Sequence, residues 1–343
     1  MPLYTDANQV RELYREAAEL GFLIPGLNVE NRDTLECIFT AATRLGPELG
    51  VPGLPICISV TGRYEGRSQL PNYTSLGCAV EGLLAFEADI KGLLRLGGPF
   101  GHLRVHAHLD HGQPDLDQDL FELGRGTFGS VMYDASARPL GENRKMTRRF
   151  MEQWGDTYLV EGAVDELPVS GAAVPFDDLT RPEDAKLFLD ETGVDLIVVN
   201  VGTEHRATAE RARYHAERAR EIGAVAGGKM VLHGTSSLGK TSFREVAADG
   251  FVRFNLWTAV ETLGGQAIAR DTLRNLHYIL PRAELEELRS EGILGDAALA
   301  QPGAPSLTYL PHEYRRDKVW VPVVTEHYYQ VLSGCGYERL AGR

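Results

Sequence analysis

The stretch Val105-His106-Ala107-His108-Leu109-Asp110-His111-Gly112 joins a buried β-strand to a cluster of ionisable side chains. Apolar and small residues carry the chain into a hydrophobic core, and the strand then ends on a carboxylate beside an imidazole. That pairing suits a metal ion with an acid or base alongside it. A lone histidine in a strand is more often a hydrogen-bonded core residue, but three histidines and an aspartate within six residues favour a functional site.

Seven further segments have the length and composition of buried strands. We predict them at Phe22–Val29, Leu54–Val60, Ser130–Asp134, Tyr158–Ala163, Asp195–Val201, Met230–Leu232 and Phe251–Leu256. Helical patterns separate most of the strands, beginning with an amphipathic helix that Thr5 or Asp6 can cap and that runs to about Leu20. Eight strands that alternate with helices predict an α/β fold, a (β/α)8 TIM barrel, over residues 1–280 as a single catalytic domain.

The remaining residues, 281–343, are predicted to form a C-terminal helical appendage. Several prolines interrupt this segment, and Val321–Leu332 has the pattern of a final helix. We expect the extension to pack on the barrel or on an oligomer partner. No internal repeat and no low-complexity tract indicates a different architecture.

The composition limits the classes of partner. A chain of 343 residues with 43% hydrophobic residues can bury a large core, and its net charge of -13 disfavours nucleic acid and anionic membranes as partners. The first residues lack the pattern of a signal or transit peptide, and no apolar run is long enough to cross a bilayer. Four scattered cysteines fit reduced thiols. These features predict a cytoplasmic protein that acts on a small molecule.

Polar residues stand where the predicted strands end, which is where TIM barrels carry their active sites. Among them, His111, His205 and His233 follow strands three, six and seven and can converge at one barrel mouth. Three imidazoles with an open fourth position make a catalytic zinc site. Each histidine alone is weak evidence, because a single histidine in a loop is usually solvated. The long polar loop Arg63–Tyr73 is either a substrate-covering segment or an insertion.

Seven motifs, in order and spacing, resemble those of the class II, zinc-dependent ketose-bisphosphate aldolases, which include the fructose- and tagatose-bisphosphate enzymes. The resemblance covers roughly residues 1–280, and the chain is similar to a divergent member. The motifs are Gly26–Asn31, His108–Gly112, Ser130–Ser136 followed by Glu142-Asn143, Val160-Glu161, Gly202–His205, Leu232–Gly234 and Asn255–Thr258.

The resemblance implies a retro-aldol cleavage, or the reverse condensation, of a ketose that we expect to be phosphorylated. Zinc, with Co²⁺ or Mn²⁺ as alternatives, would stabilise the enediolate, without an organic cofactor or a lysine Schiff base. His111, His205 and His233 would hold the metal. Asp110 would be the catalytic acid/base, with support of a neighbouring histidine as its alternative role. The family resemblance also implies a homodimer or homotetramer.

Other residues take roles by the same resemblance. Asp134, Glu161 and His108 would serve a second metal position or support the metal ligands. Gly202, Gly234 and Ser236 resemble a phosphate cradle, in which small residues let backbone N–H groups approach an anion. The remaining predicted substrate-binding residues are Asn28, Thr61, Asn255 and Thr258.

Three departures from the family pattern indicate an unusual substrate. Trp257 stands where the family has an aspartate that touches substrate hydroxyls, and an indole cannot replace that acceptor. Ala163 replaces a second acidic residue, and Val169–Ala173 replaces a loop rich in glycine and acids. We therefore predict an aldolase-type lyase on a substrate other than plain fructose bisphosphate. The alternatives are a non-catalytic aldolase-like metal-binding protein and a metal-dependent sugar epimerase or isomerase.

Overall fold

The computed structural model describes residues 2–165, 175–203, 214–235, 238, 240–300 and 303–343. Eight parallel strands pair in chain order, and the last strand pairs with the first, so the sheet closes into a barrel. The predicted (β/α)8 TIM barrel is confirmed. The strands are β1 (Ile24–Asn28), β2 (Pro55–Thr61), β3 (Arg104–Gly112), β4 (Phe128–Tyr133), β5 (Leu159–Ala163), β6 (Leu196–Val198), β7 (Met230–Leu232) and β8 (Phe251–Leu256).

Helices connect the strands and continue beyond the barrel. Those up to β8 are α1 (Ala7–Leu20), α2 (Arg32–Leu49), α3 (Gln69–Tyr73), α4 (Ala79–Leu93), α5 (Gln118–Leu123), α6 (Leu140–Trp154), α7 (Pro182–Thr192), α8 (Ala216–Ala226) and α9 (Phe243–Ala248), with a 3-10 turn at Phe176–Asp178. After β8 follow α10 (Thr258–Arg274), α11 (Leu276–Ile279), α12 (Arg282–Ser290), α13 (Ala297–Ala300), α14 (His312–Tyr314), a π-helical stretch Arg315–Trp320, α15 (Val321–Ser333) and a 3-10 turn at Tyr337–Leu340.

Helix α1 closes one end of the barrel. Of the two predicted caps, Asp6 is the one used, since its carboxylate accepts hydrogen bonds from the backbone N–H groups of Asn8 and Gln9. The helix ends at Gly21, whose left-handed φ of 71° favours glycine. Its buried face packs against β4, β5 and β8, three strands that a helix can reach together only across the barrel end.

Strand β3 is the longest strand and changes direction at its end. It pairs with β2 in unbroken register from Arg104 to Asp110, but its pairing with β4 shifts between Leu109 and Gly112. Within this shift His111 has a φ of +50°, and it is the only non-glycine residue with positive φ in the described part of the chain. A regular strand sends consecutive side chains to opposite faces. The left-handed conformation of His111 interrupts this alternation. The side chains of the adjacent residues Asp110 and His111 can therefore face the same site.

The chain divides into two compact units. The first contains all eight strands and runs to Thr258, and it also includes Tyr329–Arg343. The second is Ala259–Tyr328, in which the Trp320 indole lies so near Gly264 that a Cβ there would come within 2.2 Å of it. The predicted division at residue 280 stays a prediction. Among the described helices, none combines the length and the apolar character that crossing a membrane requires.

Candidate active site

Asp110, at the end of β3, is held by three donors and is fully buried. Its Oδ2 accepts hydrogen bonds from the Asn28 amide at 3.0 Å and from the Arg67 guanidinium at 2.7 Å, and its Oδ1 accepts one from the Asn255 amide at 3.0 Å. Burial acts to raise the pKa of Asp110, but positive charge, from His111 when its ring is protonated and from Arg67, holds that pKa well below its usual range. Asp110 is therefore an ionised carboxylate with a fixed orientation.

His111 is oriented by a carboxylate. Its Nδ1 lies 2.6 Å from Oδ2 of Asp134, and the other oxygen of Asp134 accepts from the backbone N–H and the hydroxyl of Ser136. A carboxylate at Nδ1 assigns the proton to that nitrogen, so Nε2 carries the lone pair that a metal needs. The ring of Tyr64 stacks on the imidazole with centroids 4.3 Å apart. His111 is thus fixed in both tautomer and ring plane.

His233 follows β7 and is buried beside the other two residues. Its ring centroid lies 5.1 Å from that of His111, and its Nε2 is 3.3 Å from Oε1 of Glu161 on β5. The hydroxyl of Thr203 donates to the backbone carbonyl of His233 at 2.7 Å. Burial lowers the pKa of His233, which favours the neutral ring that binds metals.

Asp110, His111 and His233 form a cluster that fits a divalent cation. Each offers one ligand atom, and these atoms lie within 4.8 Å of one another. Two neutral imidazoles and a carboxylate are donors that zinc and similar metals accept, and Asp134 supports one of the rings as outer partners of metal ligands do. His205, the third predicted imidazole, lies outside the described residues.

Glu161 and His108, predicted to serve a second metal position or to support ligands, belong to a buried ionic layer under the cluster. The guanidinium of Arg253 donates to Oε2 of Glu161 at 2.9 Å and to Oδ1 of Asn255, and both charged side chains are fully buried. Glu161 therefore already has a cationic partner. His108 Nδ1 contacts the Ser130 hydroxyl at 2.9 Å, while its Nε2 lies 3.9 Å from Glu161 and has no hydrogen-bond partner among the described residues.

Gly26 makes room for this layer. A Cβ at that position would lie 2.4 Å from Oδ1 of Asn255 and 2.9 Å from Nε of Arg253. Only glycine lets β1 pass so close to these side chains.

The predicted substrate residues lie at the ends of several strands. Asn28 and Asn255 meet at Asp110, and Thr61 contacts Gln69, which in turn accepts from Asn28. Gly202 and Gly234 follow β6 and β7 with positive φ values of 86° and 73°. Thr258 begins α10. Ser236 and the loop Val169–Ala173 lie outside the described residues.

A second cluster at the barrel mouth was not predicted residue by residue. The Glu30 carboxylate, just after β1, accepts hydrogen bonds from the Gln69 amide and the Trp257 indole, each at 2.5 Å. The Arg67 guanidinium lies 5.3 Å from the centre of the Trp257 ring. From the sequence the loop Arg63–Tyr73 was either a substrate-covering segment or an insertion, and in the structure part of it is helix α3. The sequence offered one signal for Glu30: it is a charged residue two positions after Asn28, near the end of a predicted strand.

A TIM barrel that gathers a carboxylate and two imidazoles at the ends of its strands has the arrangement used by enzymes that bind a divalent metal. The model of the family "Fructose-bisphosphate aldolase class-II" matches residues 8–293, and the chain belongs to this family.

Solved structures of aldolases have a similar fold. The fructose-bisphosphate aldolase of Campylobacter jejuni is 18% identical, with a TM-score of 0.70 over 99% of this chain and 96% of that one. The YdjI aldolase of Escherichia coli K12 is 16% identical, with a TM-score of 0.65 over 97% and 98% of the two chains. At such identity these structures support the fold alone. Family membership supports an aldolase-type carbon–carbon lyase.

Proposed function

We propose that the protein is a metal-dependent class II aldolase that cleaves a phosphorylated ketose, or condenses the two products in reverse. The observation that carries this proposal is the convergence of Asp110, His111 and His233 at the barrel mouth of a member of this family. Zn²⁺ is the metal that the donor set favours, with Co²⁺ or Mn²⁺ able to take its place.

The metal ligands would be His111 and His233, with His205 as the third. A bound divalent cation supplies a Lewis acid that stabilises negative charge on substrate oxygens while the carbon–carbon bond breaks. Asp134 fixes the tautomer of His111, and the Glu161 carboxylate lies 3.3 Å from Nε2 of His233. In this role Glu161 supports the ligand, and its charge is matched by Arg253.

Asp110 would exchange a proton with the hydroxyl on the aldehyde side of the substrate. In cleavage the carboxylate takes the hydroxyl proton while the carbon–carbon bond breaks and the new carbonyl forms, and in condensation it returns that proton. Its three donors, from Asn28, Arg67 and Asn255, keep it ionised and aimed. A base that starts as a carboxylate can accept the proton without another group acting first.

The other half of the substrate would bind across the ends of β6 and β7. Gly202, Gly234 and Ser236 would hold the phosphate through backbone N–H groups. Thr61 and Thr258 would line the rest of the site. The division of the chain at residue 280 and the assembly as a homodimer or homotetramer remain part of the proposal.

The test combines metal analysis with product trapping. We expect stoichiometric zinc, cobalt or manganese in the purified protein, and release of a trappable aldehyde from a 1-phosphoketose. Interconversion of ketoses without aldehyde release would indicate an epimerase instead. Absence of both metal and turnover after incubation with each of the three metals would contradict the proposal and favour a non-catalytic role. Asp110→Asn should keep the metal and lower kcat by about 10²- to 10⁴-fold.

A further inference from the structure

Trp257 stands where the resemblance to the family places an aspartate, and its indole binds a carboxylate from another part of the chain. The indole N–H donates to Oε1 of Glu30. Glu30 comes from the loop after β1 rather than from the end of β8. An acidic acceptor is thus retained at this side of the mouth, but a different strand supplies it.

Glu30 is linked to the candidate acid/base through two side chains. The Gln69 amide donates to Glu30, Asn28 donates to Gln69 Oε1 at 3.2 Å, and Asn28 also donates to Asp110. Gln69 is fixed by the backbone N–H of Thr61 at 2.9 Å. The Glu30 carboxylate is therefore positioned relative to Asp110 by a buried chain of hydrogen bonds, as a substrate-reading group must be.

Glu30 and Arg67 each have a polar atom without a hydrogen-bond partner in the described part of the chain. Within the described part of the chain, no group donates to Oε2 of Glu30, because both of its hydrogen bonds fall on Oε1. The Nε of Arg67 is buried and has no hydrogen-bond partner among the described residues, although another nitrogen of the same guanidinium binds Asp110. A carboxylate acceptor and a guanidinium donor on one wall match the hydroxyls of a sugar, each of which can donate and accept.

The charges at this wall disfavour a second phosphate on the substrate. Arg67 is paired with Asp110 at 2.7 Å, and among the described residues the charge of Glu30 meets the neutral donors Gln69 and Trp257. A phosphate dianion on the aldehyde half would be repelled here.

We propose that Glu30, with Arg67, reads the aldehyde half of the substrate and selects a neutral, hydroxylated aldehyde. This inference rests on the proposed function and deepens it: the substrate is a ketose monophosphate, phosphorylated on the ketone half alone. Glu30 accepts hydrogen bonds from hydroxyls of the aldehyde half, and the spare N–H groups of Arg67 donate to them.

The test uses condensation with dihydroxyacetone phosphate, the ketone that cleavage between carbons 3 and 4 of any 1-phosphoketose releases. The metal-loaded enzyme is assayed with glyceraldehyde, glyceraldehyde 3-phosphate and acetaldehyde, which carries no hydroxyl. We expect glyceraldehyde to be the best of the three. Glu30→Gln should lower kcat/KM for glyceraldehyde by about 10- to 100-fold, mainly through KM, and leave acetaldehyde within about twofold.

A half-reaction separates this inference from the proposed function. Exchange of the carbon 3 hydrogen of dihydroxyacetone phosphate with deuterated water needs no aldehyde, and it should be equal in the parent and in the surface control Glu36→Gln. If the parent shows exchange but prefers glyceraldehyde 3-phosphate, or if Glu30→Gln loses glyceraldehyde and acetaldehyde equally, the inference fails and the proposed function stands. If the metal-loaded parent shows neither exchange nor condensation, both fail.

Discussion

The Nδ1 atom of His111 lies 2.6 Å from Oδ2 of Asp134, and this contact assigns the tautomer of a proposed metal ligand. Removal of a carboxylate that orients a metal-ligating histidine costs about 10- to 100-fold in metal affinity. We expect Asp134→Ala to lose zinc affinity by that factor in a chelator competition. The exposed Asp115, which pairs with Arg138, provides the control, and Asp115→Ala should bind zinc like the parent. Unchanged affinity in Asp134→Ala would refute the orienting role.

Arg67 should act on catalysis through Asp110. Its side chain is 9% exposed and donates to the carboxylate at 2.7 Å, so Arg67→Met leaves the buried charge with only two amide donors. We expect kcat/KM to fall by at least about tenfold, since hydrogen bonds to charged groups contribute roughly 1.5–3 kcal/mol.

A double-mutant cycle tests this coupling. If Arg67 acts through the charge of Asp110, Arg67→Met should have a much smaller effect in an Asp110→Asn background, where that charge is absent. Arg95→Met, at an exposed arginine that donates to the carbonyl of Gly92, is the control. Additive effects of the two substitutions would contradict the coupling.

The ion pair inside the barrel should govern the stability of the metal-free protein. Arg253 and Glu161 are fully buried with 2.9 Å between their charged atoms, so Arg253→Met leaves Glu161 as an unpaired buried charge. We expect the free energy of unfolding to fall by about 3–5 kcal/mol. The double variant Arg253→Met/Glu161→Gln should recover part of that loss. Urea unfolding in chelator measures both, and a double variant less stable than the single one would oppose the electrostatic explanation.

His106 should make stability depend on pH. Burial, reinforced by the charge of Arg253, lowers the pKa of His106 from 6.5 to about 3. Between these values the unfolded chain binds a proton that the folded chain does not, so the free energy of unfolding falls as the pH falls below 6.5. The contribution is about 2 kcal/mol between pH 7.5 and pH 5.

His106→Gln should therefore lose about 2 kcal/mol less than the parent over that range. The exposed His102 offers a control, and His102→Gln should follow the parent. Urea unfolding at the two pH values gives the comparison. Parallel losses in His106→Gln and in the parent would show that His106 does not carry this dependence.

The fold was predictable because the local composition of each strand segment indicates a buried strand. Met230–Leu232 and Phe251–Leu256 were predicted with the bounds that the structure has, and alternation with helices then dictates a parallel barrel. The predicted strand Asp195–Val201 is shorter in the structure, Leu196–Val198, because strand ends depend on pairing partners rather than on local composition.

The site was predictable only where residues stand at strand ends. Asp110, His111 and His233 were found in this way, and family resemblance added Asn28 and Asn255. The contact between Glu30 and Trp257 joins residues 227 positions apart, and no local pattern predicts it. The role of Arg253 was not predicted for another reason. A charged residue within an otherwise apolar strand can be interpreted only when its buried partner, here Glu161, is known.

The left-handed backbone at His111 has a consequence for how the site can adapt. Asp110 and His111 face the same site because the backbone turns at His111, so the proposed proton-transfer group and a proposed metal ligand are adjacent in the chain. Histidine tolerates this conformation better than branched residues do, at a cost of about 1–3 kcal/mol that the surrounding contacts must offset. A substitution that altered the backbone at His111 would move both residues of this pair at once. We therefore expect changes of substrate preference to arise at residues from other parts of the barrel, such as the proposed specificity residue Glu30.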